Sequence, residues 1–153
     1  MERLVEFPKA RKERFEFEHA VIMHAMPSLL LSFNEADSGE VYVRYVSETL
    51  TRVEFILVLR VSADFPGNKE KGRVYIYSPR PLKSHGGSDI SGASHENHTL
   101  GLSKDGLVCV CDGERFREEN TFANLFQKAF VWVEAYLYHR RTGKSIADAL
   151  PSC

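Results

Sequence analysis

The sequence lacks the marks of several protein classes. No stretch approaches the ~18 consecutive apolar residues of a membrane span, and the opening "MERLVEFPKARKERFEFEH" has neither the apolar run nor the small-residue cleavage site of a secretory signal. A cytoplasmic protein with no membrane partner is therefore expected. There is no basic excess: 20 Lys and Arg face 21 Asp and Glu, for a formal net charge of -1. Nucleic acid is not an expected partner on that balance. Cysteine is scarce, with three residues. Cys109 and Cys111 stand too close together for an ordinary disulfide staple, and Cys153 is the last residue. Reduced thiols are expected, and the Asn97-His98-Thr99 sequon then carries no glycan. Repeats and low-complexity tracts are absent.

What is present fits one domain over residues 1–153, with 43% hydrophobic content to fill one core. Phe15, His19, Ile22 and Met26 recur at offsets of 4, 3 and 4, the stripe of an amphipathic helix from about Pro8 to His24 that Pro27 ends. "SLLLSFNE" and "EVYVRYVS", separated by Asp37-Ser38-Gly39, read as two strands in hairpin register. In "RVEFILVLRVS", Val53, Phe55, Leu57, Leu59 and Val61 share one face, and Glu54, Ile56, Val58 and Arg60 the other. Only one face is wholly apolar, which predicts an antiparallel sheet covered on one side. "RVYIYSP" is a fourth strand closed by Pro79 and Pro81. Late in the chain Thr121 is placed to cap a long helix with Phe122, Leu125, Phe126, Ala129, Val133, Tyr136 and Leu137 on its apolar face. Glu118 and Glu119 precede it, His139, Arg140 and Arg141 lie in its last turn, and Gly143 stands just beyond. Trp132 on this helix is expected at the core edge.

From Pro79 to Gly106 apolar periodicity disappears and Gly, Ser, His and Asn dominate. So long an irregular stretch in a compact domain marks a functional loop or disorder. It leads directly into "DGLVCVC". Three readings of the two thiols are open on spacing. Cys109 is a nucleophile presented by the Asp105-Gly106 turn, with His95, Asn97 and His98 as nearby acceptor and donor. Alternatively His95-x-x-His98 and Cys109-x-Cys111 supply four zinc ligands. That spacing is poor, because a Cys-x-Cys pair on an extended chain points both side chains to one side. Or the cysteines are small strand residues and the histidines are solvated.

The order of parts resembles the ubiquitin-conjugating enzyme (UBC) family. The likeness lies in a leading helix, a four-strand meander, "DFPGNKEKGRVYIYSP", a His/Asn loop, "DGLVCVCDG", and "TFANLFQKAFVWVEAYLYHRRTG". It covers the chain from the first helix to Gly143. "DGLVC" is similar to the family's Asp/Asn-Gly-x-Ile/Leu-Cys, and Phe65-Pro66 and Tyr77-Ser78-Pro79 match its aromatic-Pro turn and Pro-closed strand. The chain departs from the pattern at His-Pro-Asn, whose nearest counterparts are His95-Glu96-Asn97 and His98-Thr99-Leu100. The Trp that follows the cysteine in eukaryotic members is replaced by Phe116 in that neighbourhood. These features are nearer to the bacterial members found beside activating enzymes, peptidases or cGAS-like nucleotidyltransferases in anti-phage (CBASS) operons.

The resemblance implies an α+β, UBC-like fold: an N-terminal helix, a four-stranded antiparallel meander, an active-site loop and a long helix in the C-terminal half. It implies a transferase that carries an acyl group as a cysteine thioester. The partner would be a protein, a cGAS-like nucleotidyltransferase or a ubiquitin-like modifier, and no cofactor or metal is implied. Cys109 falls at the position of the family nucleophile. Cys111 stands where the family has an acidic or polar residue, as a second acceptor, a redox partner or a strand residue. His98 takes the place of the family histidine, which shapes the loop. Asn97 is the candidate oxyanion donor, a role worth about 2.7–4 kcal/mol in the transition state. Asp112 and Glu114 are candidates to orient an incoming lysine. Two other readings stand beside this one: an inert binding module of the same fold, and a zinc-stabilised structural domain.

Overall fold

A computed structural model describes residues 8, 10–34, 39–47, 53–63, 65–66, 72–90, 93–94, 97, 99–112 and 121–150. The first helix, α1, spans Arg11–Ala25, and the meander follows as β1 (Leu30–Asn34), β2 (Glu40–Val46), β3 (Glu54–Arg60) and β4 (Arg73–Ser78). Two short strands, β5 (Ala93–Ser94) and β6 (Thr99–Leu100), pair with each other. They precede β7 (Val108–Asp112), the long helix α2 (Phe122–Thr142) and a last turn of helix, α3 (Ile146–Ala149). The main sheet is antiparallel in the order β1-β2-β3-β4-β7. It has one strand more than the four-stranded meander expected from the sequence. The added strand carries both cysteines.

Alternation decides which face of the sheet is dry. Val41, Val43, Phe55, Leu57, Leu59, Val74 and Ile76 join the core beneath α1 and α2. Each such side chain, fully buried, contributes about 1.5–3 kcal/mol. Phe15 of α1, Phe65 and Phe122 meet there with ring centroids 5.2–5.9 Å apart, so the Phe65-Pro66 turn is a core contact between the two helices. Trp132 lies deeper than the expected core edge: it is 1% exposed, stacked on Tyr136 with centroids 5.4 Å apart. Among the described residues no helix lies over the opposite face of the sheet, but that face is not wholly polar. Val58, Tyr75, Leu107 and Cys109 form a small second cluster, flanked by Tyr42 and Tyr77.

The helix ends follow their sequence signals. The Thr121 hydroxyl accepts from the Asn124 N–H at 3.2 Å, and Gly143 takes φ 81°, where its N–H returns to the His139 carbonyl at 2.8 Å. A second contact at this end is invisible in the local sequence. Glu18 of α1, with 0% exposure, accepts the Phe122 N–H at 2.8 Å and the Arg14 Nε–H at 2.8 Å. One carboxylate thus binds the first turn of α2 and neutralises the buried Arg14. Of the stripe predicted for α1, Phe15, Ile22 and Met26 are buried, while His19 is exposed and packs its ring edge against Phe33. At the other edge of α2, Glu134 accepts from the hydroxyls of Tyr45 and Ser47 and ties the helix to β2.

The stretch from Pro79 to Gly106 is more structured than its composition predicts. Leu82 and Ile90 reach the core, and the chain between them closes through Ile90 N–H to the Leu82 carbonyl and Ser84 N–H to the Ser88 carbonyl, both 2.8 Å. No helix among the described residues is long and apolar enough to cross a membrane.

Candidate active site

The site is built on β7 and the turn before it. Ser103 and Leu107 close that turn through a 2.9 Å backbone bond, and Gly106 stands in it with φ 82°, a conformation natural to glycine. The Ser103 hydroxyl accepts the Leu107 N–H at 2.9 Å and donates to Asp105. Arg60 holds the turn from outside. Its two terminal nitrogens donate to the two Asp105 oxygens at 2.8 Å each, while its Nε donates to Glu40 at 2.8 Å. The guanidinium carbon also sits 5.5 Å from the centre of the Tyr75 ring. Arg60 therefore draws the 103–106 turn toward the helix-free face of the sheet. The paired guanidinium keeps the Asp105 carboxyl well below the usual range, with the Ser103 hydroxyl adding to the effect, and the two carboxylates raise Arg60.

Register then separates the thiols. Tyr75 pairs with Cys109 and Val74 with Cys111, so one step on β4 spans two on β7. This is a β-bulge with Val110 as the extra residue. Val108 and Val110 belong to the main core and Cys111 packs against it, whereas Cys109 belongs to the cluster on the opposite face. The same-side geometry expected of an extended Cys-x-Cys pair is lost at the bulge. The two sulfurs cannot form one chelating edge of a zinc tetrahedron in this register. Among the described residues, no group of three or more His, Cys, Asp or Glu is placed to hold a metal ion.

Cys109 is 1% exposed. Its N–H donates to the Gly101 carbonyl at 2.9 Å, and its Sγ lies 3.6 Å from the Cys111 carbonyl oxygen. Leu102 bridges to Val108 alongside. The Gly101–Leu102 segment thus borders the free edge of β7, and Leu107 is buried beside the thiol. The thiol is thus closed in by Val58, Tyr75 and Leu107, and an electrophile reaches Sγ only when its surroundings open. Tyr75, the cross-strand neighbour, has its hydroxyl pushed up first by burial and next by the charge of Cys109, with Arg73 and Arg60 opposing. A negative charge on the sulfur is felt at Tyr75, so the two groups share one electrostatic environment.

The other expected site residues are distributed differently. Asn97 is held by its backbone: its N–H donates to the Ser94 hydroxyl at 3.1 Å, and its carbonyl accepts from Trp132 Nε1 at 3.0 Å. That anchors it to the core-facing side of α2, and its amide makes no hydrogen bond with another described residue. His98, His95, Glu114, Phe116, Glu118, Glu119, Asp37, Ser38 and Cys153 lie outside the described residues, as does the Asp112 side chain. Arg60 and Glu40 went unread as site residues. Their sequence signal was only that two charged residues face the open side of otherwise hydrophobic strands.

Compared with protein-family models, with curated proteins and with solved structures, the chain has no match.

Proposed function

We propose that the chain is an acyl carrier of the ubiquitin-conjugating type, with Cys109 as its thioester-forming residue. The observation that carries this is the position of Cys109. It follows an Asp-Gly turn fixed by a two-point Arg60–Asp105 pair, on the helix-free face of the sheet. Cys111, turned toward the core, has no comparable setting. In the reaction the Cys109 sulfur attacks the C-terminal carbonyl of a partner protein presented as an activated thioester. The new C–S bond replaces the old one, and the displaced thiol leaves with the proton. An amine then attacks the same carbonyl, an amide forms, and the Cys109 thiol is regenerated. The partner is a cGAS-like nucleotidyltransferase or a ubiquitin-like modifier, the setting anti-phage defence, and the family resemblance supports both. By the resemblance His98 takes the part of the loop histidine and Asn97 that of the oxyanion donor, although the Asn97 backbone is tied to Trp132 on the core side, the face opposite the Cys109 side chain.

The test is expression together with the genes that adjoin it, followed by non-reducing electrophoresis and intact mass. A thiol-sensitive adduct should form, vanish in Cys109→Ala and persist in Cys111→Ala. An adduct unchanged in Cys109→Ala would overturn the assignment. The near-complete burial of Cys109 favours a second reading, an inert module of the same fold that docks a partner. In that case neither cysteine variant changes the protein's effect in cells and no adduct forms.

A further inference from the structure

Away from Cys109, a cleft of about 480 Å³ opens between the ends of β3 and β4 and the last turns of α2. Phe55, Pro79, Pro81 and Leu137 give it an apolar floor. Every charged residue in its lining is a cation: Lys83, Arg140 and Arg141. Lys83 pairs with Asp89, but neither arginine has a carboxylate partner among the described residues. Arg140 spends one nitrogen on the Lys83 carbonyl at 2.9 Å, and Arg141 lies over the Tyr138 ring at 5.5 Å.

Hydrogen bonds between residues 83–85 and α2 fix the wall of the cleft. The Tyr136 hydroxyl accepts the Lys83 N–H at 3.1 Å and donates to the Lys83 carbonyl at 2.8 Å. The His85 N–H donates to His139 Nε2 at 3.0 Å, and His85 Nδ1 lies 2.8 Å from the Arg140 carbonyl oxygen. These bonds clasp residues 83–85 to α2 and pre-form the opening. A helix C-terminus ordinarily repels anions, and one of these bonds, from His85 Nδ1 to the Arg140 carbonyl, occupies a terminal acceptor. Here the Tyr138, His139 and Arg140 carbonyls already accept from Thr142, Gly143 and His85. Arg140 and Arg141, with no carboxylate partner among the described residues, set the sign of the rim.

We propose that this cleft binds a segment of a partner protein that places an apolar side chain next to carboxylates. Charge complementarity selects the acid. The placement of the charge selects a protein segment over a free small acid. A small-molecule site buries its polar anchors with the ligand, whereas Lys83, Arg140 and Arg141 are all exposed around an apolar floor, which is the anatomy of an interface with an arginine rim. The site does not depend on the chemistry assigned to Cys109.

The experiment is a fluorescence-anisotropy titration of the full chain with the peptide fluorescein-Gly-Glu-Phe-Glu-Leu-Glu. Binding should weaken by about tenfold or more in the double variant Arg140→Gln/Arg141→Gln. It should weaken likewise when Lys replaces each Glu of the peptide or Ala replaces Phe and Leu. Arg141→Glu, which disturbs no backbone contact, gives the same loss in a variant whose circular dichroism matches wild type. The proposal is overturned if the acidic peptide does not bind, or if the arginine variants bind it as tightly as wild type. Equal binding of the Lys or Ala peptides overturns it too, as does displacement of the peptide by free 4-phenylbutyrate at equal concentration.

Discussion

A carboxylate shielded from water is costly unless donors satisfy it, and Glu18 shows how that cost is met. Its two oxygens serve the Arg14 guanidinium and the Phe122 N–H. Glu18→Ala removes the carboxylate that serves the buried Arg14 guanidinium and the Phe122 N–H, leaving the Thr121 cap in place. A loss of about 3–5 kcal/mol in urea unfolding is expected. Burial raises the Glu18 carboxyl above its ordinary value of 4.5, and the bonds from Phe122 and Arg14 offset only part of the rise. In the window above 4.5 the folded state therefore holds a proton that the unfolded state has released, so this group's contribution falls as pH rises through it. Measured against Glu18→Gln, which cannot titrate, wild-type stability should drift downward across that window. A difference that stays flat would contradict it. Nothing local announced this residue, because its main partner lies at the start of another helix. Only the Arg14 and Glu18 spacing, one helical turn apart, hinted that the two pair.

At the scale of elements, the turn from Ser103 to Gly106 and helix α2 were the most legible. Asp-Gly, Thr121 and Gly143 are local signals acting through local hydrogen bonds, so they survive any tertiary arrangement. Gly143→Ala should cost about 1–3 kcal/mol, because the residue has φ 81° and an added Cβ would stand 3.1 Å from the His85 ring. Thermal unfolding checks this. The fifth strand was less legible: Val108–Asp112 offered apolar alternation, but whether it paired depended on β4 leaving an edge open. The bulge was not legible at all, since a one-residue slip depends on what two distant strands pack against. Arg60–Asp105 is exposed, so Asp105→Asn should change global stability by no more than about 1 kcal/mol. Its effect should be local. Released from Arg60, the turn opens more often, and alkylation of Cys109 by iodoacetamide should accelerate by up to about fivefold. Because Asp105 sits below the usual carboxylate range, the pair's contribution is present at neutral pH and is lost as pH falls through the acid range. An unchanged alkylation rate in Asp105→Asn would show that the turn does not govern access.

For the whole molecule, the antiparallel sheet carries its described helices on one face, and the candidate nucleophile lies on the other. The one-sided sheet was readable from β3, where Val53, Phe55, Leu57, Leu59 and Val61 alternate with more polar partners. Its open face was harder to read, because Val58, Tyr75 and Cys109 become a cluster only when three strands align them. The two thiols look alike in sequence and differ in structure, one buried with Val58, Tyr75 and Leu107 and one against the main core. The proposed function therefore turns on whether Cys109 carries an acyl group. The most direct measurement is intact mass with peptide mapping of the protein isolated, under non-reducing conditions, from cells expressing it with its neighbouring genes. The acyl-carrier reading predicts a mass adduct on Cys109 that thiols remove, that Cys109→Ser retains as a thiol-resistant oxyester, and that Cys111→Ala leaves in place. An adduct mapped to Cys111, or none on wild-type protein purified with a competent activating partner, would contradict it.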